Sequence, residues 1–211
     1  MKQPLYLLRA ATLVSLATLG AVTTVTLSGC AALLLGGAVG TALMVSDRRT
    51  SGTQIEDQAI ELKAVTRIRE AVGNRGHINA VSYSRIVLLT GEVASEADRS
   101  AVEQAVARIE NVRSTVNELA VMGSSSLTAR SNDTILTSKV KATFIDAKDV
   151  QAQAVKVVTE RATVYLLGRV SEREAARATE LARGVSGVQK VVRVFEILTE
   201  AELGALGTAK P

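Results

Sequence analysis

Beyond Thr50, apolar residues fall first at helical spacing and then at strand spacing, and this pattern occurs twice along the chain. In each copy it predicts the order helix, strand, strand, helix, strand. The elements predicted in the first copy span residues 57–72, 78–83, 86–93, 95–109 and 112–121, and those in the second span 133–147, 154–159, 163–170, 171–184 and 188–197. We predict that Asp57 caps the first helix.

The two copies align residue by residue, which indicates a duplicated module. Gly91 aligns with Gly168 and, after one unmatched residue, Ser95 aligns with Ser171. Three strands covered by two helices predict an α/β (α+β) sandwich with a three-stranded mixed sheet in each module. The predicted domains are 55–121 and 133–198, joined by a linker at 122–132 and followed by a C-terminal tail at 199–211.

The N-terminal region has a different character, because no charged residue lies between positions 10 and 45, while Lys2 and Arg9 precede this run. A cationic start, an apolar stretch and small residues before a cleavage point are typical of a secretory signal peptide. Leu-Ser-Gly at 27–29 precedes Cys30, the only cysteine of the chain. A lone cysteine in an exported protein cannot form an intramolecular disulfide. We therefore predict a signal peptide at 1–29, lipidation of Cys30 and a lipidated apolar tether at 30–54, with an uncleaved transmembrane helix as the alternative.

The Leu-Ser-Gly-Cys pattern resembles the lipobox of bacterial lipoprotein precursors. In those precursors the cysteine thiol receives a diacylglyceryl group, the signal is cut before the cysteine, and the new amine is acylated. In the lipoproteins that it resembles, Asp directly after the cysteine favours retention in the inner membrane. Ala31 stands there instead, so the resemblance implies attachment to the outer membrane, facing the periplasm.

Several short motifs are shared with one known family. They are the lipobox at Cys30, Ser51-Gly52-Thr53-Gln54 with Asp57, Ser131-Asn132-Asp133-Thr134 with Thr137, Lys139 and Val140, Val155-Lys156-Val157, Gly168 with Val170, Glu172-Arg173-Glu174-Ala175, and Val185-Ser186-Gly187-Val188. Through them the chain resembles lipoproteins of the BON-domain family. The resemblance implies an outer-membrane lipoprotein that binds anionic phospholipids through its second BON domain, collects at division sites and supports outer-membrane integrity.

The predicted helix at 133–147 has two apolar faces, although packing on a sheet needs only one. The core face consists of Leu136, Val140 and Phe144, and the second face consists of Ile135, Ala142 and Ile145 flanked by Lys139 and Lys141. Apolar tips between lysines are typical of an interfacial helix, because the tips enter the acyl boundary while the ammonium groups meet headgroup phosphates. The predicted phospholipid-binding residues are Ile135, Lys139, Val140, Lys141, Ala142 and Ile145.

In the equivalent helix of the first module, the spacing of apolar residues predicts one buried stripe that includes Val65. Leu62 is the only apolar residue among the charged positions of this helix. This asymmetry favours the second module as the lipid-binding one. Two alternatives stay open. Ile135 and Ile145 could pack against the first module or the linker, or their face could bind an envelope protein, which would make the chain a scaffold for envelope assembly or cell-wall regulation. In the family an aromatic residue occupies the position of Ile135 and acts as an interfacial anchor, whereas this chain has isoleucine there.

Composition argues against other functions. The formal net charge is +4 and aromatic residues make up 2%, which favours neither a basic stripe nor a stacking surface for nucleic acid. His77 is the only histidine and is predicted in a solvated loop. Without a paired-carboxylate or phosphate-loop pattern, we expect no enzyme activity, cofactor or metal. The expected partners are membrane lipids and, in the alternative, envelope proteins.

Overall fold

The computed structural model describes residues 47–208. Module 1 consists of α1 (Ser51–Val72), β1 (Gly76–Tyr83), β2 (Ile86–Val93), α2 (Glu96–Ala107), β3 (Ser114–Asn117) and β4 (Ala120–Val121). Module 2 consists of α3 (Leu127–Asp146), a 3-10 turn (Ala152–Ala154), β5 (Val155–Glu160), β6 (Thr163–Val170), α4 (Glu172–Gly184) and β7 (Lys190–Ile197), and α5 (Glu200–Thr208) follows it. The two modules confirm the predicted fold class.

Each module contains one mixed sheet. In module 1, β1 and β2 form an antiparallel hairpin, and β3 and β4 both pair with β2 in parallel. In module 2, β5 and β6 form the hairpin, and β7 pairs with β6 in parallel. The prediction of one strand over 112–121 was wrong, because the strand is interrupted where the Asn117 side chain accepts a hydrogen bond from the Leu119 amide at 3.2 Å.

Both module-opening helices begin earlier than the sequence predicted. The side chain of Thr50 accepts a hydrogen bond from the Thr53 amide and caps α1, and Ser126 caps α3 through the Ala129 amide. Hydroxyl residues at these positions satisfy amides that have no partner inside the helix. Residues 51–54, predicted in the tether, and residues 127–132, predicted in the linker, are therefore helical.

The prediction that Asp57 caps α1 was wrong. Asp57 lies inside α1 and is buried, where its carboxylate accepts hydrogen bonds from the Ser84 and Arg85 amides at 2.9 and 2.8 Å. These two residues form the β1–β2 turn with φ values of 50° and 65°, a left-handed conformation that is unfavourable for residues other than glycine. The carboxylate thus stabilises a strained hairpin turn.

Asp133 does the same in module 2. Its carboxylate accepts hydrogen bonds from the Arg161 and Ala162 amides at 2.8 and 2.9 Å, and these residues have φ values of 52° and 55°. One aspartate on each module-opening helix therefore holds the hairpin of its own module. This shared device explains a buried acid on an otherwise apolar helix face.

The described residues form three hydrophobic cores, of which two lie between helices and a sheet. In module 1, Ile60, Ala64 and Ile68 of α1 pack with residues of α2 and β2. In module 2, Val140 and Phe144 of α3 pack with residues of α4, β5 and β6. Each pair of helices therefore covers one face of its own sheet.

The third core joins the modules through the other faces of the two sheets. It contains Tyr83, Leu88, Tyr165, Leu167 and Val194, and we call it the seam. Because helices cover one face of each sheet and the seam covers the other, the layer order is helix, sheet, sheet, helix. The α1–α2 pair and the α3–α4 pair consequently lie on opposite outer sides.

Polar contacts border the seam. The Lys156 ammonium donates to Glu61 at 3.0 Å, and the Asn79 amide donates to Glu160, also at 3.0 Å. The guanidinium group of Arg113 in module 1 likewise donates to Glu196 of β7 at 3.2 Å. These contacts fix the register of one sheet against the other.

The C-terminal segment contains an element that the sequence prediction of a tail missed. Thr199 caps α5 by accepting a hydrogen bond from the Glu202 amide at 3.2 Å, and its own amide donates to the Glu202 carboxylate at 2.8 Å. A threonine followed three residues later by a glutamate is the sequence signal for this helix start.

Candidate functional site

The outer face of α3 is apolar and solvent-exposed. The exposed fractions are 80% for Leu127, 55% for Ile135 and 71% for Ile145, and Ala142 between them is also exposed. The core face of the same helix is complete without them, since Leu136, Val140 and Phe144 are buried. The second apolar stripe therefore has no packing role within the described part of the chain.

Lys139 and Lys141 are exposed on either side of this stripe. Between residues 127 and 145 the only acidic residue is Asp133, which is buried and occupied by the hairpin turn. The outer face of α3 thus combines apolar side chains with positive charge and has no exposed carboxylate until Asp146. An interfacial helix on an anionic bilayer needs this combination.

Val140 does not belong to this face. Its side chain is fully buried in the core of module 2, because its position on the helix points it at the sheet. Its inclusion among the predicted phospholipid-binding residues was wrong, because a fully buried side chain cannot contact lipid. Leu127 takes its place on the outer face, and it was missed because the sequence prediction put residue 127 in the linker.

Hydroxyl side chains fill the outer face between the apolar residues. Thr134 donates to the Arg130 carbonyl oxygen at 3.0 Å, and Ser138 donates to the Thr134 carbonyl oxygen at 3.1 Å. Such bonds to the preceding turn satisfy the hydroxyl hydrogens within the helix. They lower the cost of bringing this face against an apolar phase.

The equivalent helix of module 1 is less different than the sequence suggested. Val65 was predicted in the buried stripe but is 56% exposed, and Ile55 and Leu62 are exposed as well. The charges still distinguish the two helices, because α1 carries four acidic residues against three basic ones, whereas α3 carries two against three. Charge, more than exposed apolar area, therefore makes the outer face of α3 better suited than that of α1 to an anionic surface.

The segment before α1, residues 47–50, binds both modules, and we call it the strap. On the module 1 side, Arg49 donates to the Asp57 carboxylate at 2.8 Å. Its guanidinium lies over the ring of Tyr83, 4.1 Å from the ring centroid, at a distance typical of a cation–π contact. Tyr83 belongs to the seam, and burial raises the pKa of its hydroxyl to about 12.

On the module 2 side, Arg48 forms a bidentate ion pair with Glu174, with both contacts at 2.7 Å. It also donates to the Arg169 carbonyl oxygen at 2.8 Å and to the Gln151 side-chain oxygen at 2.9 Å. Hydrogen bonding to Arg48 lowers the pKa of the Glu174 carboxyl. Charge-assisted bidentate pairs of this kind are strong and geometrically specific.

Cys30, the predicted lipidation site, lies outside the described residues. Among residues 47–208, no helix is long and apolar enough to cross a membrane, and no cluster of His, Asp or Glu could hold a metal ion. His77 was predicted in a loop but lies in β1 and is partly buried. The groove of about 480 Å³ beside Thr143 contains Arg177, whose guanidinium is already paired with Asp149 and Glu180.

Sequence comparison agrees with this architecture, since the BON domain family matches residues 56–123 and 132–199. The chain belongs to the BON-domain family. It is 38% identical over 178 residues to the Outer membrane lipoprotein DolP of Haemophilus influenzae, covering 83% of this chain and 92% of that protein. The chain is an outer-membrane lipoprotein with two BON domains.

Two further likenesses are more distant. The 21 kDa hemolysin of Actinobacillus pleuropneumoniae is 31% identical over 151 residues, covering 71% of this chain and 78% of that protein. A solved structure of CdsD, a structural protein of the type III secretion system of Chlamydia trachomatis, covers 70% of this chain and 98% of its own. Its identity is 11% and its TM-score 0.28, so this last likeness carries no argument.

Proposed function

We propose that the outer face of α3 binds anionic phospholipid while acylated Cys30 holds the protein on the outer membrane. The observation that carries this proposal is the exposure of Leu127, Ile135 and Ile145 on a helix face that Lys139 and Lys141 flank and that has no exposed carboxylate before Asp146, the last residue of α3. The protein acts in this proposal as a binding module and not as an enzyme.

The expected strength of this contact is modest. Each buried CH₂ contributes about 0.8 kcal/mol, and each lysine close to an anionic surface contributes about 1 kcal/mol. One short stripe with two lysines therefore gives reversible attachment, whereas the acyl chains on Cys30 provide stable anchoring. The acyl chains keep α3 near lipid, and α3 selects anionic headgroups.

Vesicle flotation tests the proposal with non-acylated protein that starts at Ser46. We expect salt-sensitive binding to vesicles containing phosphatidylglycerol or cardiolipin and little binding to neutral vesicles. The double variant Ile135→Asp, Ile145→Asp should lose binding. The matched control Leu62→Asp, Val65→Asp changes equally exposed residues of α1 and should retain it.

Binding of an envelope protein through the same face is the alternative. If the unchanged protein ignores anionic vesicles while circular dichroism shows an intact fold, the lipid part of the proposal is refuted. Crosslinking from position 145 in cells would then identify a protein partner, because a protein adduct survives detergent.

We further propose that lipid binding through α3 supports outer-membrane integrity at division sites. Cells that carry only the Ile135→Asp, Ile145→Asp variant should become sensitive to detergent and to large antibiotics. A fluorescent fusion of this variant should lose any enrichment at the septum. Full resistance and unchanged distribution would contradict this part.

A further inference from the structure

We infer that Arg48 fastens the membrane tether to module 2 and thereby turns α3, and not α1, toward the membrane that holds the anchor. Arg48 is a positioning residue in this inference and does not itself contact lipid. The inference rests on the proposed function, because it concerns how α3 reaches the bilayer.

The architecture creates a choice between two sides. The α1–α2 and α3–α4 pairs lie on opposite outer sides of the four layers, so a flat bilayer can meet only one of them. Both sides offer exposed apolar residues, with Ile55, Leu62 and Val65 on α1. In sequence the tether leads directly into α1. If chain order alone set the orientation, the α1–α2 side would therefore face the membrane.

The strap nevertheless connects the tether to module 2, because Arg48 contacts that module. Within residues 47–208, the Arg48 guanidinium donates four hydrogen bonds, and all of them end on module 2, at Glu174, Arg169 and Gln151. Gln151 follows Ile145 by six residues, so its Cα lies within about 20 Å of that of Ile145 even for a fully extended chain. The tether therefore enters the described structure beside the segment of module 2 that follows the C-terminal end of α3.

The contact is protected well enough to hold the tether. The side chains of Arg48 and Glu174 are 16% and 13% exposed, so salt screens their pair less than it screens a surface pair. Arg49 fixes the adjacent residue to Asp57 and Tyr83 of module 1. If only the Arg48 contacts were lost, the tether would leave from the start of α1, and nothing in the strap would favour the α3 side.

The test uses the full acylated chain in vesicles of phosphatidylcholine and phosphatidylglycerol, with a polarity-sensitive thiol probe. Acylation blocks the thiol of Cys30, so a second cysteine is the only reactive one. Ser138→Cys places the probe on the outer face of α3, and Gln58→Cys places it on the exposed side of α1. Mass spectrometry of the purified protein confirms the acylation.

We expect an apolar signal at position 138 and a water-like signal at position 58. Arg48→Ala should weaken the first and strengthen the second, so that their ratio moves toward one. Arg67→Ala is the matched control, since it removes an arginine that pairs with Glu70 on the surface of α1, and it should leave the ratio unchanged. A ratio is insensitive to a uniform loss of binding.

An unchanged ratio in Arg48→Ala would overturn the inference. So would a loss of vesicle affinity when the non-acylated Arg48→Ala protein is compared with its parent, because Arg48 would then belong to the binding surface or to the fold itself. A water-like signal at position 138 in the unchanged protein would overturn the lipid contact of α3, and this inference with it. That failure is distinguishable because it appears before any strap residue is changed.

Discussion

Asp57 and Asp133 each accept hydrogen bonds from two amides of a hairpin turn, but Asp57 has additional donors. The two residues therefore allow a quantitative test of how much such a carboxylate stabilises the fold. Replacing either one with alanine removes the acceptor for two amides of a left-handed turn. Asp57→Ala also leaves the buried Ser82 hydroxyl without its 2.6 Å acceptor and Arg49 without its partner on α1. Asp57→Ala should therefore be the more costly substitution.

The magnitudes follow from the lost acceptors. A buried donor left without a partner costs about 1 to 3 kcal/mol. In module 2 the turn residue Arg161 is exposed, so water replaces part of what is lost, and we expect Asp133→Ala to reduce the free energy of unfolding by about 2 kcal/mol. In module 1 both Ser82 and Ser84 are buried, and we expect Asp57→Ala to cost about 4 kcal/mol.

Thermal and urea unfolding of the non-acylated protein measure these values. For a chain of this size, 1 kcal/mol corresponds to about 2 to 4 °C in Tm, so the two variants should differ by several degrees. Combining Asp57→Ala with Arg49→Ala should cost less than the sum of the single changes, because the two residues share one contact. Equal losses in Asp57→Ala and Asp133→Ala, or strict additivity with Arg49→Ala, would refute this account.

Three further predictions concern a glycine, a carboxyl group and the seam. Gly91→Ala should destabilise by about 3 kcal/mol or more, because Gly91 has φ 109° and an added Cβ would collide with the carbonyl oxygen of His77; a loss below 1 kcal/mol by urea unfolding would contradict this. Burial raises the pKa of Glu160 above its ordinary value of 4.5, so the fold favours the protonated acid and loses stability as pH rises through the raised pKa. Glu160→Gln should therefore gain more stability over the parent at pH 7 than at pH 4.5, and an equal difference at both values would show that the carboxyl group contributes no such dependence. Leu167→Asp places a charge in the seam and should separate the modules, which small-angle scattering would record as a larger radius of gyration; an unchanged radius would mean that other contacts hold them together.

Local periodicity was enough to predict the order of elements in both modules. The alternation of buried and exposed positions along a helix or strand is a local property, and it identified β2 and β6 at their observed bounds. Helix starts were predicted less well, because the spacing of apolar residues carries no information about a capping hydroxyl such as that of Ser126. Val65 was misplaced because it lies at the edge of the apolar stripe, where a small rotation of the helix decides burial.

The seam was not predicted from the sequence, although a signal for it was present. The run Ile86 to Leu89 is apolar at every position, which is typical of a strand that is buried on both faces. The role of Asp57 also lay beyond a local pattern, since its acceptors are needed by a turn more than 20 residues away. Contacts of this range depend on how complete elements pack together.

The candidate site was predicted in part. The exposed positions of Ile135, Ala142 and Ile145 follow from helical geometry alone, as does that of the flanking lysines. Leu127 and Val140 required the observed helix start and the observed packing. Whether this face binds lipid stays a prediction for the vesicle experiment.

The seam also decides what counts as a separable part of this protein. A single BON domain cut from the chain would expose to water the sheet face that packs in the seam. That face carries Tyr83 and Leu88 in module 1 and Tyr165 and Leu167 in module 2. Such a half would be prone to self-association through that face. The portable unit for fusion, transplantation or isolated study is therefore the pair, together with the few residues before α1 that hold its halves in place.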